Sequence, residues 1–367
     1  MGYAIDTRCI HGENHRITDA NCSVSYPIYQ TASFSHLTPG HNPNGFDYTR
    51  ESNPTRAYLE ETVSSLESAC DTVAFTSGMA AISAVFELFR PGDHLLLGED
   101  LYGGVVRLMD RVSAKNGYRV EYVDTTDPEL LRQKIRPGTR AVYFETPTNP
   151  MMRVTDIRKA AEIAHEAGAL LIVDNTFMTP IFQNPIPEGA DIVVHSGTKY
   201  LSGHNDTVCG FVCSANQDLA DRFRLLSKTT GAALAPFDCW LCLRGLKTLS
   251  LRMERHRSNA EKVRAWLLEQ ESVRKVLYAG SGMISFEVDS AARAEGILKS
   301  IRLITFAESL GGTESLLTYP TVQTHPDVPA AQKEKLGITD RLLRLSVGIE
   351  NPEDILSDLE QAFARAL

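Results

Sequence analysis

The chain has 367 residues, 43% hydrophobic and 23% charged, with 37 Lys plus Arg against 46 Asp plus Glu and a formal net charge of −9. At about 150 residues per domain this is length for about two domains, with a core large enough to need no disulfide staples. The acidic balance argues against a nucleic-acid coat, which needs clustered positive charge, and no apolar run approaches the roughly 18–20 residues that span a bilayer.

Seven cysteines at irregular spacing fit reduced thiols, and the first thirty residues carry Asp6, Arg8, Glu13, Arg16 and Asp19 with no apolar core, so a cytoplasmic protein is expected. Residues 1–55 read as an arm punctuated by Pro27, Pro39, Gly40, Pro43, Gly45 and Pro54. An arm of this length needs a destination, and a neighbouring subunit supplies one.

Residues 56–245 alternate. A helix over Arg56–Ser68 precedes a strand at Thr72–Phe75, a turn at Thr76–Gly78 and a helix over Met79–Phe89. A strand at His94–Leu97, a helix over Gly103–Lys115 and strands at Arg119–Tyr122 and Ala141–Phe144 follow, then a helix over Ile157–Ala167 closed by Gly168. Two more strands fall at Leu170–Val173 and Ile192–Val194. Short strands, apolar on both faces and mostly separated by helices, predict an α/β domain with a largely parallel, doubly covered sheet. Residues 246–367 change pattern: a long amphipathic stretch over Thr248–Glu269, an alternating strand at Met283–Val288, a strand at Arg341–Val347 and a closing helix over Pro352–Ala364. This reads as a smaller α+β domain.

The chemistry collects at strand ends. The strand ending in Asp174 and the one running into Ser196-Gly197-Thr198-Lys199 bring a carboxylate, two hydroxyls and a primary amine to the edge where open α/β sheets bind ligands. Pyridoxal phosphate requires those parts: an amine for the Schiff base, a carboxylate for the pyridine nitrogen, hydroxyls and amides for the phosphate. Thr76-Ser77-Gly78-Met79 adds a strand–turn–helix start whose amides suit an anion. The lone Cys239-Trp240-Leu241-Cys242 pair has no second pair to complete a zinc site and reads as core, and His195 and His204 read as structural hydrogen-bonding groups.

Asp174-Asn175, the run Ser196-Gly197-Thr198-Lys199-Tyr200-Leu201-Ser202-Gly203-His204 and the C-terminal Leu345-Ser346-Val347-Gly348-Ile349-Glu350 resemble the Cys/Met-metabolism family of pyridoxal-phosphate enzymes, over nearly the whole chain. The resemblance implies the fold type I (aspartate-aminotransferase-like) architecture, with a seven-stranded sheet, and a homotetramer built as a dimer of dimers with shared active sites. It implies Lys199 as the Schiff-base lysine, Asp174 on the pyridine nitrogen, and Ser196, Thr198, Gly78 and Met79 on the phosphate. Tyr102 would stack on the cofactor ring and serve in proton transfer, and Tyr48 and Arg50 would reach the phosphate of a neighbouring subunit. Asn149, Glu308, Ser309 and Arg344 would meet the substrate, with Arg344 clamping its α-carboxylate.

The resemblance further implies a carbon–sulfur lyase that cleaves cystathionine by β- or γ-elimination, with cystathionine γ-synthase as the alternative and methionine γ-lyase or an aminotransferase behind. Gly104 stands where methionine γ-lyases typically have a cysteine. Two departures from the family pattern are expected to matter locally: Glu51 and Ser52 follow Arg50 where a glycine is common, and the segment 278–283 is shortened.

Overall fold

The computed structural model describes residues 2–13, 21–39, 42, 44–326 and 328–366. The larger sheet has seven strands: β1 (Asp71–Phe75), β2 (His94–Gly98), β3 (Arg119–Val123), β4 (Thr139–Glu145), β5 (Leu170–Asp174), β6 (Ile192–Ser196) and β7 (Gly210–Ser214), in the order β1-β7-β6-β5-β4-β2-β3. β7 runs antiparallel to both its neighbours and every other pairing is parallel. Alternate residues serve two cores: Leu171 and Val173 pack on one side of the sheet, Ile172 on the other. Helices therefore cover both faces, as the uninterrupted apolar strands predict.

Those helices are α1 (Ile5–His11), α2 (Pro54–Glu67), α3 (Gly78–Phe86), α4 (Gly103–Arg107), α5 (Pro128–Lys134), α6 (Ile157–Glu166), α7 (Thr179–Phe182), α8 (Gln217–Thr230) and α9 (Pro236–Leu246). Most start on a side-chain cap or a proline. Asn53 accepts from Thr55 and Pro54 opens α2, while Asp156 accepts from Lys159 at the start of α6. The helix expected over Gly103–Lys115 is broken: α4 is five residues long and runs into a π turn (Leu108–Val112) and a 3-10 turn (Ser113–Asn116). The first 55 residues are less irregular than their punctuation suggests. α1 buries Cys9, and Pro27 and Tyr29 are bonded to Thr55 and Asn53 at the head of α2.

α10 (Leu249–Leu268) leads into the second sheet, β8 (Val273–Tyr278), β9 (Met283–Val288), β10 (Thr305–Phe306), β11 (Leu316–Thr318) and β12 (Leu342–Ser346), ordered β10-β11-β12-β9-β8. α11 (Ala291–Ser300), α12 (Ala330–Leu336) and α13 (Pro352–Arg365) accompany it. Its core packs Phe286, Leu343 and Leu345 against Ile355, Leu359 and Phe363 of α13. The short 278–283 segment is a tight β8–β9 hairpin with Gly280 at φ 88°. No helix of the described residues is long and apolar enough to cross a membrane.

Candidate active site

β4, β5 and β6 are parallel neighbours, so their carboxyl ends open on one side, and Glu145, Asp174 and Ser196 are their last residues. A cavity of about 300 Å³ lies there. Asp174 Oδ1 accepts the Thr176 amide at 2.9 Å, and the Thr176 hydroxyl accepts the Ser196 amide at 2.8 Å, tying two strand ends together. Burial pushes the Asp174 carboxyl up, while the Thr176 bonds and the charge of His195 pull it down. Glu145 is its register partner and is pushed well above the usual carboxylate range, first by burial and then by the charge of Asp174. Two carboxylates this close do not both ionise readily, and Asp174 has the larger set of bonds favouring its charged form.

One end of the cavity is built for an anion. The amides of Gly78 and Met79 are the first two of α3 and have no carbonyl within the helix to bond. A Cβ at Gly78 would stand 2.9 Å from the Ser196 Cβ and 3.0 Å from its hydroxyl, so only glycine brings this helix start against β6. Thr198 is fixed beside them, its hydroxyl accepting the Cys209 amide at 3.0 Å.

At the other side, the Lys199 amine donates to the Ser309 hydroxyl at 3.1 Å. Burial lowers the Lys199 amine to about 8, helped by the charge of Arg344 and opposed by that of Glu308. Arg344, 1% exposed on β12, donates to Asn149 Oδ1 at 2.7 Å, to the Ser309 carbonyl at 3.1 Å and to the Thr318 hydroxyl at 3.2 Å. Its Nε is buried without a partner, a donor left over for a ligand. Ser309 takes φ 141°, where side-chain-bearing residues rarely go. Glu308 stands exposed at the rim.

Tyr102 lines the same cavity, and its amide donates to Glu145 Oε1 at 2.7 Å. Burial, then the Glu308 charge, raises the phenol above its ordinary value, so it keeps its proton. A Cβ at Gly104 would overlap the Tyr102 ring and come within 3.0 Å of Met79 Sδ.

Of the residues expected from sequence, Lys199, Asp174, Tyr102, Gly78, Met79, Ser196, Thr198, Asn149, Glu308, Ser309 and Arg344 all line this one cavity. Tyr48 and Arg50 do not. They stand outside it, Tyr48 42% exposed with the Arg50 guanidinium over its ring at 5.4 Å, and Arg50 bonds the Lys228 carbonyl. Glu51 pairs with Lys228 at 2.7 Å. His195 is buried against Glu67 at 2.5 Å, His204 bonds the Ser202 carbonyl at 2.7 Å, and Cys239 and Cys242 are buried free thiols. Glu145 and Thr176 were missed by the sequence reading. The signal for Glu145 was available, because it ends an apolar strand as Asp174 does.

An anion cradle, a perturbed amine and a buried carboxylate lining one cavity fit pyridoxal phosphate in donor type. The model of the family described as Cys/Met metabolism PLP-dependent enzyme matches residues 6–364. The chain is 47% identical to a cystathionine γ-synthase of Haemophilus influenzae over 365 residues, 99% of this chain and 98% of that one. It is 46% identical to a cystathionine γ-lyase of Bacillus subtilis, over 93% and 94% of the two chains. It superposes on the crystal structure of cystathionine γ-lyase from Lactobacillus plantarum complexed with L-serine with a TM-score of 0.95 and 39% identity, covering 99% of each chain.

Proposed function

The chain belongs to the Cys/Met metabolism PLP-dependent enzyme family, and we propose that it acts on cystathionine, breaking a carbon–sulfur bond. The observation that carries this reading is the distribution of charge around the cavity. Arg344 presents a fork suited to an α-carboxylate, Lys199 and Asp174 suit the cofactor, and the charge left at the rim is the anionic Glu308. A substrate with a distal ammonium, which cystathionine carries beside its second carboxylate, satisfies Glu308; one whose only distal charge is an acid does not. Glu51 is an anion already paired with Lys228, so it offers no cation for a distal acid either.

Pyridoxal phosphate, when bound, supplies an electron sink for negative charge developing at the substrate Cα. Lys199 would hold it, and the Lys199 amine, which burial lowers toward neutrality, would take the proton from the substrate Cα. Ser309 orients that amine from 3.1 Å. Asp174 would hold the ring nitrogen, with Glu145 keeping the proton of the pair. Gly78, Met79, Ser196 and Thr198 would hold the phosphate. Tyr102, with its protonated phenol, would cover the ring and could give a proton to the leaving sulfur. For a γ leaving group a second proton is removed from Cβ, a task within reach of Lys199. Tyr48 and Arg50 complete the phosphate site of a neighbouring subunit, in a tetramer of two such pairs working in the cytoplasm.

A second reading is synthesis, in which the cysteine sulfur bonds to Cγ of an O-acylhomoserine as the Cγ–O bond breaks and the acyl group leaves as a carboxylate. The 47% identity to a γ-synthase favours it, and Glu308 would then meet the amine of the incoming cysteine. The purified protein given cystathionine alone separates these readings. Pyruvate with homocysteine marks β-cleavage and 2-oxobutyrate with cysteine marks γ-cleavage. Turnover only with an O-acylhomoserine and cysteine together would overturn cleavage. Borohydride should fix the visible chromophore on Lys199; fixation elsewhere would sink the cofactor assignment itself.

A further inference from the structure

Three polar side chains of α10 are buried on one face: Arg252 at 4% exposure and His256 and Asn259 at 0%. Their spacing, i, i+4 and i+7, places them in line along the helix. Their nitrogens donate to the carbonyls or hydroxyl of two other segments and of the helix entry. Arg252 Nη1 donates to the Tyr200 carbonyl at 2.7 Å, and Nη2 donates to Gly245 at 2.8 Å and Leu201 at 3.4 Å. Its Nε donates to the Thr248 hydroxyl at 3.2 Å. His256 Nδ1 meets the Val347 carbonyl at 2.7 Å, so that nitrogen carries the proton. Asn259 Nδ2 donates to the carbonyls of Gly348 at 3.0 Å and Glu350 at 2.9 Å.

The two segments are not arbitrary. Tyr200 and Leu201 follow Lys199 directly. Residues 347–350 follow β12, which carries Arg344. The cationic end of the stripe thus caps the turn bearing the lysine, and its amide end caps the strand bearing the arginine. No acidic side chain among the described residues pairs with Arg252; burial lowers it only to about 10, so it is charged at neutral pH. A buried guanidinium without a counter-ion is costly unless oriented dipoles surround it, and here the carbonyls of the lysine turn supply them. His256 also stands edge-on to the Tyr200 ring, 5.1 Å between centroids at 74°. The two segments meet again behind the cavity, where Thr313 donates to the Gly203 carbonyl at 3.0 Å and Ile349 to the Thr313 carbonyl at 2.9 Å. None of the three stripe residues lines the cavity.

We propose that Arg252, His256 and Asn259 are positioning residues that fix Lys199 and Arg344 relative to each other, Arg252 holding the lysine turn and Asn259 with His256 holding the arginine strand. This rests on the assignment of Lys199 as the cofactor lysine but not on whether cystathionine is cleaved or made.

The two ends of the stripe should fail differently, which loss of stability alone would not produce. In the holoenzyme, Arg252→Gln should move the pH midpoint of the lysine-linked cofactor absorbance by about half a unit or more, leaving the Kd for glycine, an amino acid with no leaving group, within about threefold. Asn259→Ala should leave that midpoint in place and raise the glycine Kd about five- to tenfold, the size of a lost hydrogen bond. Arg252→Lys keeps the charge without the fork and should shift the midpoint less than Arg252→Gln; it serves alone, read against the unaltered protein, if Arg252→Gln does not fold. Variants that lower only the melting temperature, or that move both readouts together, would overturn the proposal. Absorbance that borohydride does not fix on Lys199 would instead remove the assignment beneath it.

Discussion

Ser309 accepts a hydrogen bond from Lys199 through its hydroxyl at 3.1 Å, while its carbonyl accepts one from Arg344 at 3.1 Å. One residue therefore touches both the amine of the large sheet's site and the guanidinium of the small sheet, and it does so at φ 141°. Backbone strain of this kind costs about 1–3 kcal/mol and persists where the surroundings over-determine it. The arrangement keeps two cations close, and their repulsion adds to burial in holding the lysine amine near neutrality.

In the cofactor-free protein Lys199 should react with an amine-selective acylating reagent half-maximally near pH 8, the value to which burial and Arg344 lower it from 10.5. The neutral amine is the reactive form, so the rate should rise with pH through that point. Arg344→Met removes a positive charge and should move the midpoint upward. A midpoint above pH 10 in the unaltered protein, followed by peptide mapping of Lys199, would refute the account of the amine.

Arg344→Lys should lower kcat/KM about 10- to 100-fold, largely through KM, while the cofactor absorbance persists. The fork contacts Asn149, Ser309 and Thr318 at once, and a charge-assisted hydrogen bond contributes about 1.5–3 kcal/mol. Lysine keeps the charge and loses the planar geometry. Steady-state kinetics on whichever substrate is turned over checks this, and unchanged KM would remove Arg344 from the carboxylate site.

The strand ends were legible because β5 and β6 are apolar runs closed by Asp174 and Ser196, a pattern in which position along the strand states which edge the side chain reaches. Lys199, three residues beyond Ser196, followed from the same logic. β7 and its place in the sheet were not legible. β7 is antiparallel and enters the sheet between β1 and β6, and no local pattern announces a long-range insertion of that kind. The π turn after α4 and the stripe on α10 were hidden for a related reason: Arg252, His256 and Asn259 look like an ordinary polar face until their partners, up to 91 residues away, are known. Glu145 ends the apolar run of β4 as Asp174 ends that of β5, so the same logic extends to it.

Gly104→Cys should weaken cofactor binding about tenfold or more, read as the rate and extent of cofactor loss on dialysis. A Cβ there overlaps the Tyr102 ring and approaches Met79 Sδ at 3.0 Å. Overpacking of a tight contact typically costs about 1–3 kcal/mol. The Tyr102 ring is the neighbour that must move, so its cover over the cavity is what the thiol would displace. Retained cofactor affinity together with new activity on methionine would show that the position tunes substrate choice without touching Tyr102.

Glu145 separates a hydrogen-bond acceptor from a charge. Its Oε1 accepts the Tyr102 amide at 2.7 Å, and burial followed by the Asp174 charge raises it well above its ordinary value of 4.5. Glu145→Gln keeps an oxygen for the amide and removes the titration, so turnover should stay within about threefold, whereas Glu145→Ala leaves a buried amide unpaired at a cost of about 1–3 kcal/mol. The sign of the pH effect follows from linkage. A carboxyl whose folded value is raised binds more protons folded than unfolded above pH 4.5, so the wild-type protein loses stability as pH rises from there toward the folded value. Glu145→Gln lacks that loss. Melting temperatures of the cofactor-stripped proteins should therefore diverge between pH 5 and pH 8, with the glutamine variant gaining at the higher pH. Parallel melting curves across that window would mean that Glu145 is ionised beside Asp174 and that the proton of the pair lies elsewhere.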